Sequence, residues 1–154
     1  VPITGDWNGD GVDTVGVYDP VSGAFFLRNT NSAGLADVVF TFGAGGLGLV
    51  PIVGDWNGDG TDTIGLYDPT TGAFFLRNAN SNGLADLTFT FGSGGAVQPV
   101  AGDWNDDGMD TIGLYTTATG ETFLRNTNTG GPANVTYTFG SGGAVACVGD
   151  FDGQ

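Results

Sequence analysis

The sequence predicts an all-β chain made of tandem four-stranded units, and three observations carry that expectation. A ten-residue motif returns at nearly constant spacing, short runs alternate apolar with polar residues, and glycine (30 of 154 residues) punctuates the runs. No stretch shows the 3.6-residue period of an amphipathic helix.

The repeat comes first, because missing one misassigns a whole fold. Pro2–Gly11 reappears as Pro51–Gly60 and again as Pro99–Gly108. Between Pro2–Pro20 and Pro51–Pro69, 15 of 19 positions are identical, and Asp6, Asp55, Asp103 and Asp150 are spaced by 49, 48 and 47 residues. The chain therefore divides into repeats 1–50, 51–98 and 99–146 of about 48 residues, with 147–154 beginning a fourth.

The second repeat shows how each element is read. Thr63–Tyr67 is rich in β-formers and predicts a strand, and Asp68-Pro69-Thr70-Thr71-Gly72 predicts the turn that follows it. Ala73–Arg77 predicts the next strand, and a polar loop runs from Asn78 to Asp86. Leu87-Thr88-Phe89-Thr90-Phe91 alternates strictly, so Leu87, Phe89 and Phe91 share one face and the threonines the other. A glycine-rich link, Gly92–Gln98, leads into a short strand at Pro99–Ala101.

Four short strands bury too little to stand alone, so each repeat must pack on its neighbours. A β-propeller of four-stranded blades and a linear array both satisfy that demand. Three blade-like units and a partial fourth do not close a ring, which points to further copies of the chain or to neighbouring repeats of a longer one.

Composition narrows the function. Three Lys+Arg against 17 Asp+Glu give a net charge of −14, which repels nucleic acid and anionic membrane surfaces. No apolar run approaches the roughly 18 residues of a membrane span. There is no His and no Lys, and Glu121 is the single glutamate, so acid–base catalysis would fall to aspartates alone. Outside the motif only Asp19, Asp37, Asp68 and Asp86 recur, and the third repeat has Thr116 and Asn134 in their places. The expectation is a protein that is not an enzyme. The lone Cys147 cannot form an internal disulfide and is expected to be a small buried apolar residue.

Asp-x-Asn-x-Asp-Gly is the pattern of a calcium loop, with oxygen donors at positions 1, 3 and 5, glycine at 6 for the sharp turn and a backbone carbonyl at 7. The candidate ligands are Asp6, Asn8, Asp10 and the carbonyl of Val12 in the first repeat, and Asp55, Asn57, Asp59 and Thr61 in the second. The third repeat offers Asp103, Asn105, Asp107 and Met109, and Asp150 and Asp152 open a fourth loop. Asp13, Asp62 and Asp110, at position 8, complete the candidate set. Position 12 is Val17, Leu66 or Leu114, and a strand follows where an EF-hand requires a glutamate and a helix. Two carboxylates about 5 Å apart at an effective dielectric near 20 repel by roughly 3 kcal/mol. Three in one loop approach ~10 kcal/mol, the scale of a whole domain's stability. A bound Ca²⁺ accounts for such clustering, and plain Asp-Gly turns are the alternative.

Phe91-Gly92-Ser93-Gly94-Gly95-Ala96, followed by Pro99–Gly108, resembles an FG-GAP repeat, the blade unit of integrin-α-type β-propellers and of VCBS-like bacterial surface repeats. The resemblance spans the chain. It implies Ca²⁺ in the hairpin loops, an extracellular or cell-surface setting, and adhesive or structural work, in a propeller or a filament. One departure is that position 9, where the family carries a carboxylate, is Thr14, Thr63 or Thr111.

Two further residue sets recur. Arg28, Arg77 and Arg125 each follow a leucine and precede an asparagine, and are expected to pair bidentately with aspartates. Trp7, Trp56 and Trp104 sit at loop position 2, where packing is the expectation and sugar stacking in a lectin-like, glycan-binding module the alternative.

Overall fold

The computed structural model describes residues 1–140 and 142–149. Its strands form three separate four-stranded antiparallel sheets, one per repeat, and no helix occurs among the described residues. The first sheet is β1 (Pro2–Gly5), β2 (Thr14–Asp19), β3 (Ala24–Leu27) and β4 (Val38–Thr41), the second β5 (Val50–Gly54), β6 (Thr63–Asp68), β7 (Ala73–Leu76) and β8 (Leu87–Thr90). The third comprises β9 (Val97–Gly102), β10 (Thr111–Thr116), β11 (Glu121–Leu124) and β12 (Val135–Thr138). Each is a meander in which neighbours in sequence are neighbours in the sheet.

The register is the same in all three. Gly16 lies opposite Leu27, Gly65 opposite Leu76 and Gly113 opposite Leu124. The glycine is required there: a Cβ on Gly65 would stand 2.7 Å from the Leu76 side chain and 2.9 Å from that of Ile52. In the turn after β6, Asp68 accepts the Thr70 N–H (2.8 Å) and the Thr71 hydroxyl (2.6 Å), and Gly72 takes φ 75° to start β7.

The cores lie between sheets. Trp7, Tyr18, Phe25, Leu27, Phe40 and Phe42 of the first repeat close around Ile64 and Leu66 of the second. Ile52, Trp56, Tyr67, Phe74, Leu76 and Phe91 of the second close in turn around Ile112 and Leu114 of the third. Among the described residues, a third, smaller cluster of Val100, Tyr115 and Leu124 has Trp104 and Ala146 packed against it. Identical strand positions thus differ in burial by their place in the row. Val15 and Val17 of β2 are 51% and 50% exposed, while Ile64 and Leu66 of β6 are 0% and 1%.

Two expectations are corrected here. Cys147 is exposed rather than buried: it lies beyond β12, and among the described residues no sheet covers it. The strand at Pro99–Ala101 is longer than expected, Val97–Gly102, since both ends of β9 pair with β10. The segment beyond β12 is held by the Gln98 side chain, whose Nε2 donates to the Ala146 carbonyl (2.8 Å) and whose Oε1 accepts the Ala146 N–H (3.0 Å).

Since Leu66 is buried between sheets and Val17 is half exposed at the equivalent place, truncating each to alanine separates inter-sheet packing from strand propensity. In urea unfolding, Leu66→Ala is expected to cost about 3 kcal/mol and Val17→Ala less than about 1 kcal/mol.

Candidate functional site

The aspartate motif joins the first strand of each sheet to the second. Within it, the position-1 carboxylate is wrapped by the loop's own backbone. Asp6 Oδ1 accepts N–H groups from Gly9 (2.8 Å) and Asp10 (3.1 Å), and Oδ2 accepts that of Gly11 (2.6 Å). Asp55 repeats the arrangement with Gly58, Asp59 and Gly60 at 2.8, 3.1 and 2.7 Å. Asp103 accepts from Asp107 (3.2 Å) and Gly108 (2.7 Å). The position-5 carboxylate does the same on a smaller scale: Asp10 takes the Asn8 side-chain amide (2.9 Å) and the Val12 N–H (3.0 Å). Asn57 and Thr61 serve Asp59, and Asn105 and Met109 serve Asp107. Convergent N–H dipoles therefore offset much of the repulsion that three clustered charges would create.

These bonds have electrostatic signatures. At Asp59 the carboxyl is held below its usual range by the Asn57 amide and the Thr61 N–H. At Asp103 burial pushes upward but the N–H groups of Gly108, Asp107 and Asn105 outweigh it, so the net shift is downward.

Position 8 behaves differently. Asp62 leaves its own loop and reaches the loop of the preceding repeat, where its Oδ2 accepts the Asp6 N–H at 2.8 Å. The Asp62 N–H donates in return to the Asp6 carbonyl, also at 2.8 Å. Asp110 makes the same two bonds with Asp55, at 2.9 and 2.8 Å. The backbones come close enough that a Cβ on Gly54 would lie 2.9 Å from the Asp110 Cβ. Burial pushes the Asp62 carboxyl up to about 6 against the lowering effect of the Asp6 N–H, and the charges of Asp110, Asp13 and Asp55 add to the rise. Asp110 is shifted upward for the same first reason.

A groove of about 640 Å³ runs along β1, β5 and β9, the first strands of the three sheets, beside these seams, and Asp13, Asp62, Asp103, Asp106 and Asp110 are among its walls. Among the described residues, no group of three or more His, Cys, Asp or Glu side chains is arranged to hold a metal. Position 9 supplies no ligand: Thr14, Thr63 and Thr111 are buried and their hydroxyls face the carbonyls of Gly5, Gly54 and Gly102 at 3.4 Å. With positions 8 and 9 turned elsewhere in the second and third loops, each is left with three oxygen-bearing side chains, and the position-1 carboxylates already accept the loop's own N–H groups. That is fewer than the six to eight ligands Ca²⁺ takes, so the loops do not by themselves complete a calcium shell. Asp150 and Asp152 lie outside the described residues.

The arginines organise loops instead of pairing bidentately with aspartates. Arg77 donates to the carbonyls of Ser81 (2.8 Å), Leu84 (2.5 Å) and Asn82 (2.8 Å) and to the Ser81 hydroxyl (3.0 Å), leaving Asp86 at 3.9 Å. Arg125 makes the same set of bonds with Asn134 in place of the aspartate, so the carboxylate is not what fixes the arginine. Trp7 and Trp56, at 5% and 1% exposure, are packed in the cores between sheets and leave no ring face for a sugar. The sequence reading missed the seam role of Asp62 and Asp110. Its signal was present, since a carboxylate at position 8 recurs in every repeat. Comparison with known protein families, curated proteins and solved structures finds no match.

Two outcomes follow from the seam and the loop. In metal-free buffer Asp62→Ala strands the Asp6 N–H and is expected to cost about 1–3 kcal/mol, whereas Asp62→Asn keeps an acceptor and costs less. Because the folded carboxyl binds its proton more tightly than the usual 3.8, its contribution is full below that value and is lost as pH rises through about 6. Melting temperatures measured between pH 6 and pH 4 should therefore fall with rising pH in the native chain, and the slope should diminish in Asp62→Asn. Separately, Asp106 holds φ 58° where the first two loops have Gly9 and Gly58 at 71° and 72°. Asp106→Gly should relieve that strain and raise stability by about 1 kcal/mol in the same unfolding assay.

Proposed function

We propose that the chain is a non-enzymatic structural repeat module whose sheets are propeller-type blades and whose work is to pack, head to tail, on further copies of itself. One observation carries this reading: the two ends of the row expose complementary halves of an interface that is used twice inside it. At the leading face Val15 and Val17 are half exposed where Ile64, Leu66, Ile112 and Leu114 are covered. At the trailing face Tyr137 and Phe139 are 46% and 77% exposed where Phe40 and Phe42 are 5% and 4%. The hydrogen bonds continue the pattern. Asp13 occupies the seam position of Asp62 and Asp110, and Asp103 that of Asp6 and Asp55, so Asp13 of one copy would clamp the Asp103 N–H of the next. Heterologous addition of this kind makes rings if the rotation closes and filaments if it does not.

The resemblance to FG-GAP repeats supports an extracellular adhesive or scaffolding setting, with Ca²⁺ as a ligand of the loops. In that reading Asp6, Asn8, Asp10 and the Val12 carbonyl hold the ion, as do their counterparts in the other repeats. The ion would add stiffness to a loop that its own N–H groups already close.

Sedimentation velocity over a concentration series tests the assembly, with Val17→Asp and Asp13→Ala as variants that touch only the open face. Reversible association weakened in both variants is expected, and a species that stays monomeric at every concentration would sink the proposal. Thermal melting with and without EDTA tests the ion: added Ca²⁺ should raise the melting temperature by a few degrees, the equivalent of about 1 kcal/mol.

A further inference from the structure

We infer that Asn82–Gly83 is a self-catalysed deamidation site, at which the fold activates the chain's own backbone to convert Asn82 into aspartate or isoaspartate. Three Asn-Gly pairs occur in the sequence, at 8–9, 57–58 and 82–83, and all three are open to the same chemistry in an unfolded chain. A glycine after asparagine leaves the attacking nitrogen unhindered. The structure treats the three in opposite ways.

At the first two pairs the reacting groups are tied down. The Gly9 and Gly58 nitrogens each donate at 2.8 Å to the carboxylates of Asp6 and Asp55, and a neighbouring negative charge opposes the loss of their protons. The Asn8 and Asn57 amide nitrogens, which would have to leave, donate at 2.9 Å to Asp10 and Asp59.

At the third pair, donors sit on both oxygens that gain charge in the reaction. Asn82 Oδ1 accepts the Thr41 N–H at 2.8 Å and faces the Thr41 hydroxyl at 3.4 Å, so the side-chain carbonyl is polarised and charge developing on its oxygen is met by donors. Arg77 Nη2 donates to the Asn82 backbone carbonyl at 2.8 Å, and that carbonyl shares its peptide bond with the Gly83 nitrogen. A fixed guanidinium on the peptide oxygen stabilises the amidate and acidifies the N–H. Gly83 is itself pressed against this guanidinium, since a Cβ there would lie 2.5 Å from Nη2. Among the described residues nothing accepts a hydrogen bond from the Gly83 N–H. Ala33 and Gly130 stand in the corresponding places of the other repeats, so the site belongs to the second alone.

The chemistry balances without any redox partner. The Gly83 nitrogen loses its proton to solvent base and attacks Cγ of Asn82, forming the N–Cγ bond of a succinimide. The Cγ–Nδ2 bond breaks, and the nitrogen leaves as ammonia with a proton from water. A second water opens the ring, at Cγ to give aspartate with its side-chain carboxylate, or at the backbone carbonyl to give isoaspartate, in which the main chain runs through Cγ and the former backbone carbonyl becomes a pendant carboxylate. The product sits where the first sheet meets the second. Aspartate can still accept the Thr41 N–H, whereas isoaspartate lengthens the backbone and shifts the acceptor away.

Peptide mapping by mass spectrometry tests this, following the amide-to-acid mass change at 8, 57 and 82 in mildly alkaline buffer, for the folded chain and for the chain in denaturant. In the folded chain Asn82 should react about fivefold or more faster than in denaturant, the rate equivalent of about 1 kcal/mol. Asn8 and Asn57 should react about tenfold slower when folded, matching the loss of a charge-assisted bond. A rate at Asn82 no faster folded than unfolded, or reaction at Asn8 or Asn57 ahead of Asn82 in the folded chain, overturns the inference. Because every rate is read on this chain whether it is monomeric or associated, the result does not depend on the proposed assembly.

Discussion

The seam between consecutive sheets depends on a pair of hydrogen bonds that no repeat can make alone. Asp62 lends its carboxylate and its N–H to the backbone of Asp6, 56 residues away, and Asp110 does the same for Asp55. The arrangement needs a short acceptor on a strand that is just beginning, and a glycine opposite it so that the backbones can approach. Gly5 and Gly54 supply that space. The cost is a partly buried carboxylate in an acidic field, visible as the upward shift at Asp62. A neutral acceptor would avoid the cost. The charge strengthens the bond to a backbone donor that has no other partner near.

Packing and polarity then reinforce each other along the row. The seam fixes the register at the inner edge, and the paired residues Ile64 and Leu66, or Ile112 and Leu114, fill the space farther out against the aromatic face of the preceding sheet. A single four-stranded meander has one aromatic face and one aliphatic face, and neither is covered within its own repeat. Each sheet covers a face of the one before it, and Val15 and Val17, with no preceding sheet among the described residues, stand half exposed in positions otherwise equivalent to buried ones.

Much of this was legible in the chain itself. Strand number and order follow from the turn residues and the alternation, and Leu87, Phe89 and Phe91 do turn inward while Thr88 and Thr90 face out. What escaped was of two kinds, contacts made across to the adjacent repeat and the choice of acceptors within a loop. The motif was read as one loop folding around one centre, so Asp62 was grouped with Asp59 although its partner is Asp6. Arg77 was expected on a carboxylate because opposite charges attract, while the fork geometry of the guanidinium found several carbonyl and hydroxyl acceptors in a single tight loop. Cys147 falls near Pro99 or Val100 of the preceding repeat and is expected to be buried on that ground, yet it is exposed beyond the third sheet.

Near-identity of the repeats also hides a difference between the two seams. Both have the aspartate clamp and an aliphatic pair. Only the first has the outer bridge from Asn82 to Thr41, because Gly130 has no side chain with which to make it. The bond from the Thr117 hydroxyl to the Ala96 carbonyl (3.3 Å) lies within the third sheet, where it extends the β9–β10 pairing, and Pro69 has no hydroxyl with which to repeat it in the second. The first seam is thus fastened at one point more than the second. Local opening follows the least-fastened part of a structure, so the second seam, alike in its core, opens more readily at this edge. Chemical change at Asn82 acts on that extra fastening and leaves the aspartate clamps untouched.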